Sequence, residues 1–165
     1  MLAGHEKEKK GAGIMSWTSS RVLYETGENL ASEAEILDLI EKKWTCQSTK
    51  LAIKHQLDYL LLRNQKGVAW VEIKARGTPF RQYPTYMIAM TKIMAARALS
   101  EASKLPSFLV VRWSDRCGYI RIDTLLDFEI SMGGRTDRDD RQDIEPVMLI
   151  PVHNFTELSP ENGRG

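Results

Sequence analysis

The sequence has few of the residues that build metal clusters and disulfide scaffolds. Its 165 residues include two cysteines, Cys46 and Cys117, and three scattered histidines. Two cysteines without a C-x-x-C pair are too few for a zinc or iron–sulfur cluster. We expect both to be reduced thiols in an intracellular protein.

Long apolar runs and a strong excess of one charge are also absent. No stretch is long enough to span a membrane, and the first residues lack the apolar segment of a secretory signal. The formal net charge is +1, and the 42% hydrophobic and 27% charged residues are ordinary for a soluble globular protein. We therefore expect a cytoplasmic protein with a single domain over residues 25–158, a mobile arm over 1–24 and a disordered tail over 159–165.

Two short apolar runs predict a β-hairpin that carries charged residues. The runs cover residues 57–62 and 68–73, and Asn and Gly between them favour a turn. If the turn is centred on Gln65, residues whose numbers sum to 130 face each other, so Asp58 lies opposite Glu72. Glu72 and Lys74 share a face because the side chains of a strand alternate. The three groups then converge at the open end of the hairpin, whereas a slip of one residue would turn Asp58 to the other face.

These charged side chains are expensive in apolar strands unless they are paired or bind a metal. Two carboxylates at close range repel each other unless a cation lies between them, and hard oxygen ligands suit Mg²⁺ or Mn²⁺. A lysine beside them could orient a water or stabilise negative charge that develops on a phosphate. The hairpin thus predicts a metal site, and a surface salt bridge on an edge hairpin is the alternative.

The pair Leu57-Asp58, followed by Glu72-Ile73-Lys74, resembles the signature of the PD-(D/E)XK nuclease superfamily, although Leu57 stands where the family often has proline. The resemblance implies an α/β fold with a restriction-endonuclease-like core, in which helices flank a mixed central β-sheet in the order αβββαβ. It implies that Asp58, Glu72 and the main-chain carbonyl of Ile73 bind the metal and that Lys74 is the catalytic lysine. The implied reaction is hydrolysis of a phosphodiester bond by a metal-activated water.

The resemblance covers roughly residues 28–122, and the family usually adds a glutamate on the helix before the hairpin. The amphipathic pattern of residues 30–44 predicts this helix. Glu33 lies on its apolar stripe and should face the sheet, so it is the preferred third carboxylate, with Glu35 and Glu28 as fallbacks. The alternative is that Glu33 only complements the positive end of the helix dipole.

A loop over residues 76–84 follows the hairpin and carries Arg76, Arg81 and Tyr83. Arginines bind phosphates and aromatic rings stack on bases, so the loop predicts contacts with a nucleic acid strand. An ordinary solvated loop explains any one of these residues equally well.

The apolar pattern of residues 85–104 predicts a helix that packs hard against the sheet. Lys92 interrupts its apolar arc. This lysine either extends to water, which is the commoner case, or reaches toward the scissile phosphate. Members of the superfamily often place a polar or basic residue on this helix.

The C-terminal third predicts further strands and one exposed loop. Residues 107–113 and 119–123 have the apolar content of strands. The loop over 135–143 alternates Arg and Asp and should be flexible, and its arginines could contact DNA or a partner chain. Ile144 to Pro151 is an apolar strand whose prolines indicate an edge position, and such an edge strand or the C-terminal segment could pair with a second copy to form a homodimer.

Together these features predict a metal-dependent deoxyribonuclease. Glu33, Asp58 and Glu72 would bind Mg²⁺ or Mn²⁺, and Lys74 would assist the attacking water. DNA is preferred because most relatives act on DNA, and the element order is similar to that of Holliday-junction resolvases and small phage-type nucleases. We therefore expect branched or structured DNA as the substrate, in recombination or repair or in a phage-infected cell. The alternative is a non-catalytic nucleic-acid-binding or assembly module on the same fold.

Overall fold

The computed structural model describes residues 27–52, 55–134 and 144–158. The predicted arm, tail and Arg/Asp-rich loop lie outside the described residues. Neither helix of the described part combines the length and apolar character needed to cross a membrane. In chain order, the elements are α1 (Gly27–Trp44), β1 (Gln47–Lys50), β2 (Tyr59–Arg63), β3 (Lys66–Ala75), β4 (Thr85–Ala89), α2 (Met90–Ser103), β5 (Ser107–Arg112), β6 (Cys117–Arg121), β7 (Glu129–Gly134), β8 (Ile144–Pro151) and β9 (Thr156–Glu157).

A six-stranded mixed sheet in the order β1-β2-β3-β5-β6-β9 forms the centre of the fold. Strands β3 and β5 are parallel, and the remaining neighbours are antiparallel. The side chains of β3 and β5 alternate between two apolar clusters because the sheet is covered on both faces. Val71 and Val110 pack with Ile36 of α1, whereas Leu109 packs with Ile93 of α2 on the other face. This arrangement confirms the predicted α/β fold with a mixed central sheet between helices.

The β2–β3 hairpin has the predicted register at its open end. Tyr59 pairs with Val71 and Leu61 with Ala69, so the numbers of facing residues sum to 130. Nearer the turn, a bulge between Leu61 and Leu62 shifts the register by one residue. Asn64 and Gln65 form the two-residue turn with φ of 50° and 62°, the left-handed conformation that tight hairpins require.

The predicted helix over 85–104 is wrong at its start. Thr85–Ala89 is strand β4, and α2 begins only at Met90. Tyr86 and Ile88 are buried while Met87 between them is 46% exposed, which is the two-residue period of a strand. The strand pairs with β8, and this distant partner outweighs the local helical spacing of the apolar residues.

The predicted edge position of β8 is also wrong. Strand β8 is the centre of a three-stranded antiparallel sheet in the order β4-β8-β7. Its prolines are tolerated because Pro146 lies before the stretch that pairs with β4 and Pro151 is the last residue of the strand. Both edges of β8 are therefore occupied, so this strand is not free to pair with a second copy. A homodimer through the C-terminal segment stays a prediction.

Candidate active site

The charged residues of the hairpin meet at the end of β2, on the face of the central sheet that α2 covers. Glu72 lies in the middle of β3 and has no solvent-exposed surface. Its neighbours Val71 and Ile73 point to the α1 face, so alternation directs Glu72 to the α2 face. A fully buried carboxylate requires partners, and the surrounding residues supply them.

Asp58 makes two hydrogen bonds to the backbone of β3, one on each side of Glu72 in the sequence. The Asp58 amide donates to the Val71 carbonyl at 3.1 Å, and Asp58 Oδ2 accepts from the Ile73 amide at 2.8 Å. Strand β2 begins only at Tyr59, so the Asp58 side chain, and not a strand backbone, accepts from the Ile73 amide. The N–H and C=O groups of one residue in a strand point to the same edge, so the Ile73 carbonyl also faces the Asp58 side.

Two lysines supply positive charge to Glu72. Lys74 Nζ lies 2.7 Å from Glu72 Oε1, and Lys92 Nζ lies 3.0 Å from Glu72 Oε2. The Lys92 ammonium also donates to the Gln56 carbonyl at 2.7 Å, which ties α2 to the segment before β2. Despite the short Lys74 distance, Glu72 Oε1 is buried and accepts no hydrogen bond of normal geometry. Two carboxylates and two ammonium groups therefore lie together in this cluster.

The pKa values show which charges the site favours. Burial raises the pKa of Glu72, Asp58 raises it further, and the opposing effects of Lys74 and Lys92 do not restore the ordinary value. Burial alone would lower the pKa of Lys74, but the carboxylates of Glu72 and Asp58 outweigh it and raise that pKa. The site thus holds a protonated lysine beside a carboxylate whose charge is poorly compensated.

Of the residues predicted in the loop after β3, Arg76 lies near the candidate site and the others lie apart from it. Arg76 donates from Nη2 to the Tyr86 hydroxyl at 3.0 Å. Arg81 is exposed, and Tyr83 is 59% exposed and accepts a long hydrogen bond of 3.4 Å from Gln82. The structure therefore brings Arg76 and Lys92 to the hairpin site and leaves Arg81 and Tyr83 on the surface.

Glu33 lies on the other face of the sheet. As predicted, it faces the sheet, but Glu33 Oε2 accepts from the Tyr59 hydroxyl at 2.8 Å and lies 3.4 Å from Lys50 Nζ. Glu35 is largely exposed and pairs with Arg112. Within residues 27–52, 55–134 and 144–158, no three acidic, histidine or cysteine side chains form a group that could hold a metal. The fallback Glu28 lies in α1, with its side chain outside the described part.

Two contributions to the site were missed in the sequence. Tyr86 falls in the segment whose apolar spacing predicts a helix, and the alternate burial that marks Thr85–Ala89 as a strand is visible only in the structure. The Gln56 carbonyl is a main-chain group, and no side-chain pattern indicates its role.

The mixed sheet with a helix on each face, and the Asp58, Glu72 and Lys74 arrangement on its central hairpin, define a PD-(D/E)XK nuclease fold. Residues 19–158 match the model of the family described as "Phage putative PDDEXK endonuclease", and the chain belongs to that family. No match was found among curated proteins.

The fold is similar to that of Hjc from Archaeoglobus fulgidus, a Holliday junction resolvase of an archaeal hyperthermophile. The alignment covers 79% of this chain and 92% of that chain at 9% identity, with a TM-score of 0.54. At this identity the likeness establishes the fold alone. A second solved structure, SSO0001, covers 61% of this chain and 56% of that chain at 15% identity, with a TM-score of 0.28 that is too low for comparison.

Proposed function

We propose that this protein is a divalent-metal-dependent endonuclease that hydrolyses phosphodiester bonds in branched DNA. The observation that carries the proposal is the buried Glu72 carboxylate with Asp58 and Lys74 beside it. A structural ion pair of this kind is an expensive way to fill a sheet, because apolar residues of similar volume are often as stable or more stable. A role in catalysis is a better explanation for the buried Glu72 carboxylate.

The oxygen atoms at the site fit a hard divalent cation. Glu72 Oε1 is buried without a normal hydrogen bond, and Asp58 uses only Oδ2 toward the described residues. The Ile73 carbonyl faces the same edge as the amide that Asp58 accepts from. We propose that Asp58, Glu72 and the Ile73 carbonyl hold Mg²⁺ or Mn²⁺. Such an ion lowers the pKa of a water and stabilises negative charge on phosphate oxygens.

The lysines have separate roles in this proposal. Lys74 remains protonated because Glu72 and Asp58 raise its pKa, so its ammonium group orients the attacking water and stabilises the negative charge that develops on the phosphate. Lys92 approaches from α2 and contacts the other oxygen of Glu72. Both ammonium groups compete with a cation for Glu72, and both side chains are partly exposed, at 39% and 29%, so they have room to move toward the substrate.

Two findings favour branched DNA as the substrate. The fold is that of a Holliday junction resolvase over most of both chains, and the family is described as a phage endonuclease. Arg76 contacts Tyr86 near the site, and Arg81 and Tyr83 are exposed on the same loop, where they are suited to phosphates and bases. We infer action on DNA junctions inside a phage-infected cell.

The test is cleavage of a labelled four-way junction, a matched linear duplex and a plasmid in Mg²⁺, Mn²⁺ or EDTA. We expect cleavage of the junction with either metal and none in EDTA. Lys74→Ala should lose cleavage by about a hundredfold or more while it largely retains junction binding. The matched control is Lys66→Ala, an exposed lysine at the turn end of the same strand. Unchanged cleavage by Lys74→Ala, or full activity in EDTA, would contradict the proposal.

A further inference from the structure

The three-stranded sheet contributes one side chain, Tyr86, to the surroundings of the candidate site. Tyr86 is 6% exposed, and its ring packs edge-on against Trp113 and Phe155 at centroid distances of 6.1 and 5.7 Å. Its strand pairs with β8 through Ile150, so the position of the ring is fixed from both sides. A buried tyrosine hydroxyl needs a polar partner, and here that partner is an arginine.

Arg76 is held in place by contacts at both its backbone and its guanidinium. Its amide donates to the Arg112 carbonyl at 2.7 Å, which extends the parallel pairing of β3 with β5 by one residue. Nη2 donates to the Tyr86 hydroxyl at 3.0 Å, Nη1 donates to the Ala75 carbonyl at 3.2 Å, and the guanidinium carbon lies 5.2 Å from the centre of the Tyr86 ring. The long side chain is therefore ordered before any ligand arrives.

Most of the binding capacity of Arg76 remains available. A guanidinium has five N–H donors, and the two contacts above use two of them. Arg76 is exposed and forms no ion pair with a carboxylate of the described residues, whereas the nearby Arg112 and Arg116 lie against Glu35 and Asp115. An ordered, exposed arginine without a carboxylate partner is suited to an external anion.

The position of Arg76 relates this anion to the candidate site. Residues 72, 74 and 76 follow the alternation of β3, so Arg76 lies on the face of Glu72 and Lys74, about 7 Å beyond Lys74 along the strand. Burial raises the pKa of the Tyr86 hydroxyl against the opposing effects of Arg76 and Lys74, and Glu72 raises it further. The anion at Arg76 would therefore lie next to the group that Lys74 contacts.

We propose that Tyr86 is a positioning residue that holds the Arg76 guanidinium for a DNA phosphate adjacent to the scissile one. The inference rests on the proposed function, because it takes the Lys74 site to be the point of cleavage. It assigns a role to the three-stranded sheet, which supplies the tyrosine from outside the central sheet. Preorganisation of a flexible arginine favours binding because less side-chain freedom is lost when the phosphate arrives.

The test is a double-mutant cycle on the affinity for a labelled four-way junction, measured in EDTA by fluorescence anisotropy. Tyr86→Phe keeps the ring and its packing and removes only the hydroxyl. We expect it to weaken binding about three- to fivefold, with an unchanged dependence on salt. Arg76→Ala should weaken binding more and reduce the slope of log K against log salt by about one, because one phosphate contact is lost. In the Arg76→Ala background, Tyr86→Phe should not weaken junction binding any further.

Matched controls separate positioning from general stability. Tyr119→Phe alters a tyrosine that packs against Trp44 and Phe108 on the α1 face, and Arg63→Ala removes an arginine bound to main-chain carbonyls at the other end of the sheet. Neither should change junction affinity by as much as twofold.

Two results would overturn the inference while leaving the proposed function intact. The first is full junction affinity of the Tyr86→Phe protein. The second is a loss of junction affinity on Tyr86→Phe that is as large in the Arg76→Ala background as in the parent. A parent protein that neither binds nor cuts DNA would overturn both proposals, and the assays of the parent itself identify that case.

Discussion

Replacement of Glu72 by glutamine is the substitution that best separates a catalytic carboxylate from a structural one. Glutamine has the same shape and removes only the charge. The raised pKa of Glu72 means that the folded protein favours the neutral form more than water does, even with Lys74 and Lys92 present. We therefore expect Glu72→Gln to leave the free energy of unfolding unchanged at neutral pH or to increase it.

The magnitude follows from two opposing effects. Removal of the buried charge relieves its desolvation, whereas removal of one partner of an ion pair typically costs about 3 to 5 kcal/mol where the other charge stays buried and unpaired. Here the ammonium groups of Lys74 and Lys92 lose their partner, but their side chains are 39% and 29% exposed and can turn to water. We expect a net gain of zero to about 2 kcal/mol, or up to roughly 8 °C in Tm for a chain of this size.

The assay combines thermal and urea unfolding with junction cleavage by the same preparation. Glu72→Gln should reduce cleavage by more than the roughly 10- to 100-fold loss that is typical when a residue that only hydrogen-bonds to a metal ligand is removed. Direct Mn²⁺ binding, followed by calorimetry, should weaken in parallel. A loss of more than about 2 kcal/mol of stability with cleavage intact would refute the reasoning, because Glu72 would then be a structural ion-pair partner.

Two further substitutions probe a charge away from the candidate site and a charge within it. Asp123→Asn should lower the free energy of unfolding by about 1 to 2 kcal/mol at pH 7 and leave cleavage unchanged. Burial alone would raise the pKa of Asp123, but hydrogen bonds from Arg121 and the Ser107 amide outweigh it and lower that pKa, so this stability is present above about pH 4 and is lost as the pH falls through the folded pKa. Urea unfolding at pH 7 and pH 3 checks whether the difference shrinks. Lys92→Met should reduce cleavage about 10- to 100-fold with little change in junction affinity in EDTA, and unchanged cleavage would make Lys92 only a counter-ion.

The sequence was sufficient for the part of the fold that is local along the chain. The β2–β3 hairpin could be counted from its apolar runs and its turn, and its register at Tyr59 and Val71 agrees with the count. The same local reasoning failed for β4, because Met87 and Ile88 also fit the spacing of a helix. The decision depends on β8, whose Met148 pairs with Ile88 from sixty residues away. Long-range strand pairing is not encoded in a local period.

The residues of the candidate site also differ in whether local sequence patterns predict their positions. Glu72 and Lys74 belong to one strand, so alternation alone places them on one face, and the register brings Asp58 opposite Glu72, where its carboxylate accepts from the Ile73 amide. The contact of Tyr86 with Arg76 depends on how the second sheet packs, so it could not be derived from either segment. Glu33 illustrates the same limit, because the helical pattern indicates that it faces the sheet but carries no information on which face of the sheet this helix covers.

The charge distribution also bears on the alternative of a binding module without catalysis. Such a module would need exposed basic groups, but it would have no use for a carboxylate with no exposed surface beneath two lysines. Glu72 reduces the positive charge that Lys74 and Lys92 could offer to a phosphate, and its burial is unfavourable for folding. A group that weakens both binding and stability is understandable where it serves a reaction, since functional residues commonly reduce stability. The Glu72→Gln protein therefore decides between the two functions through cleavage. A nuclease should lose cleavage at unchanged or higher stability, whereas a binding module has no cleavage to lose.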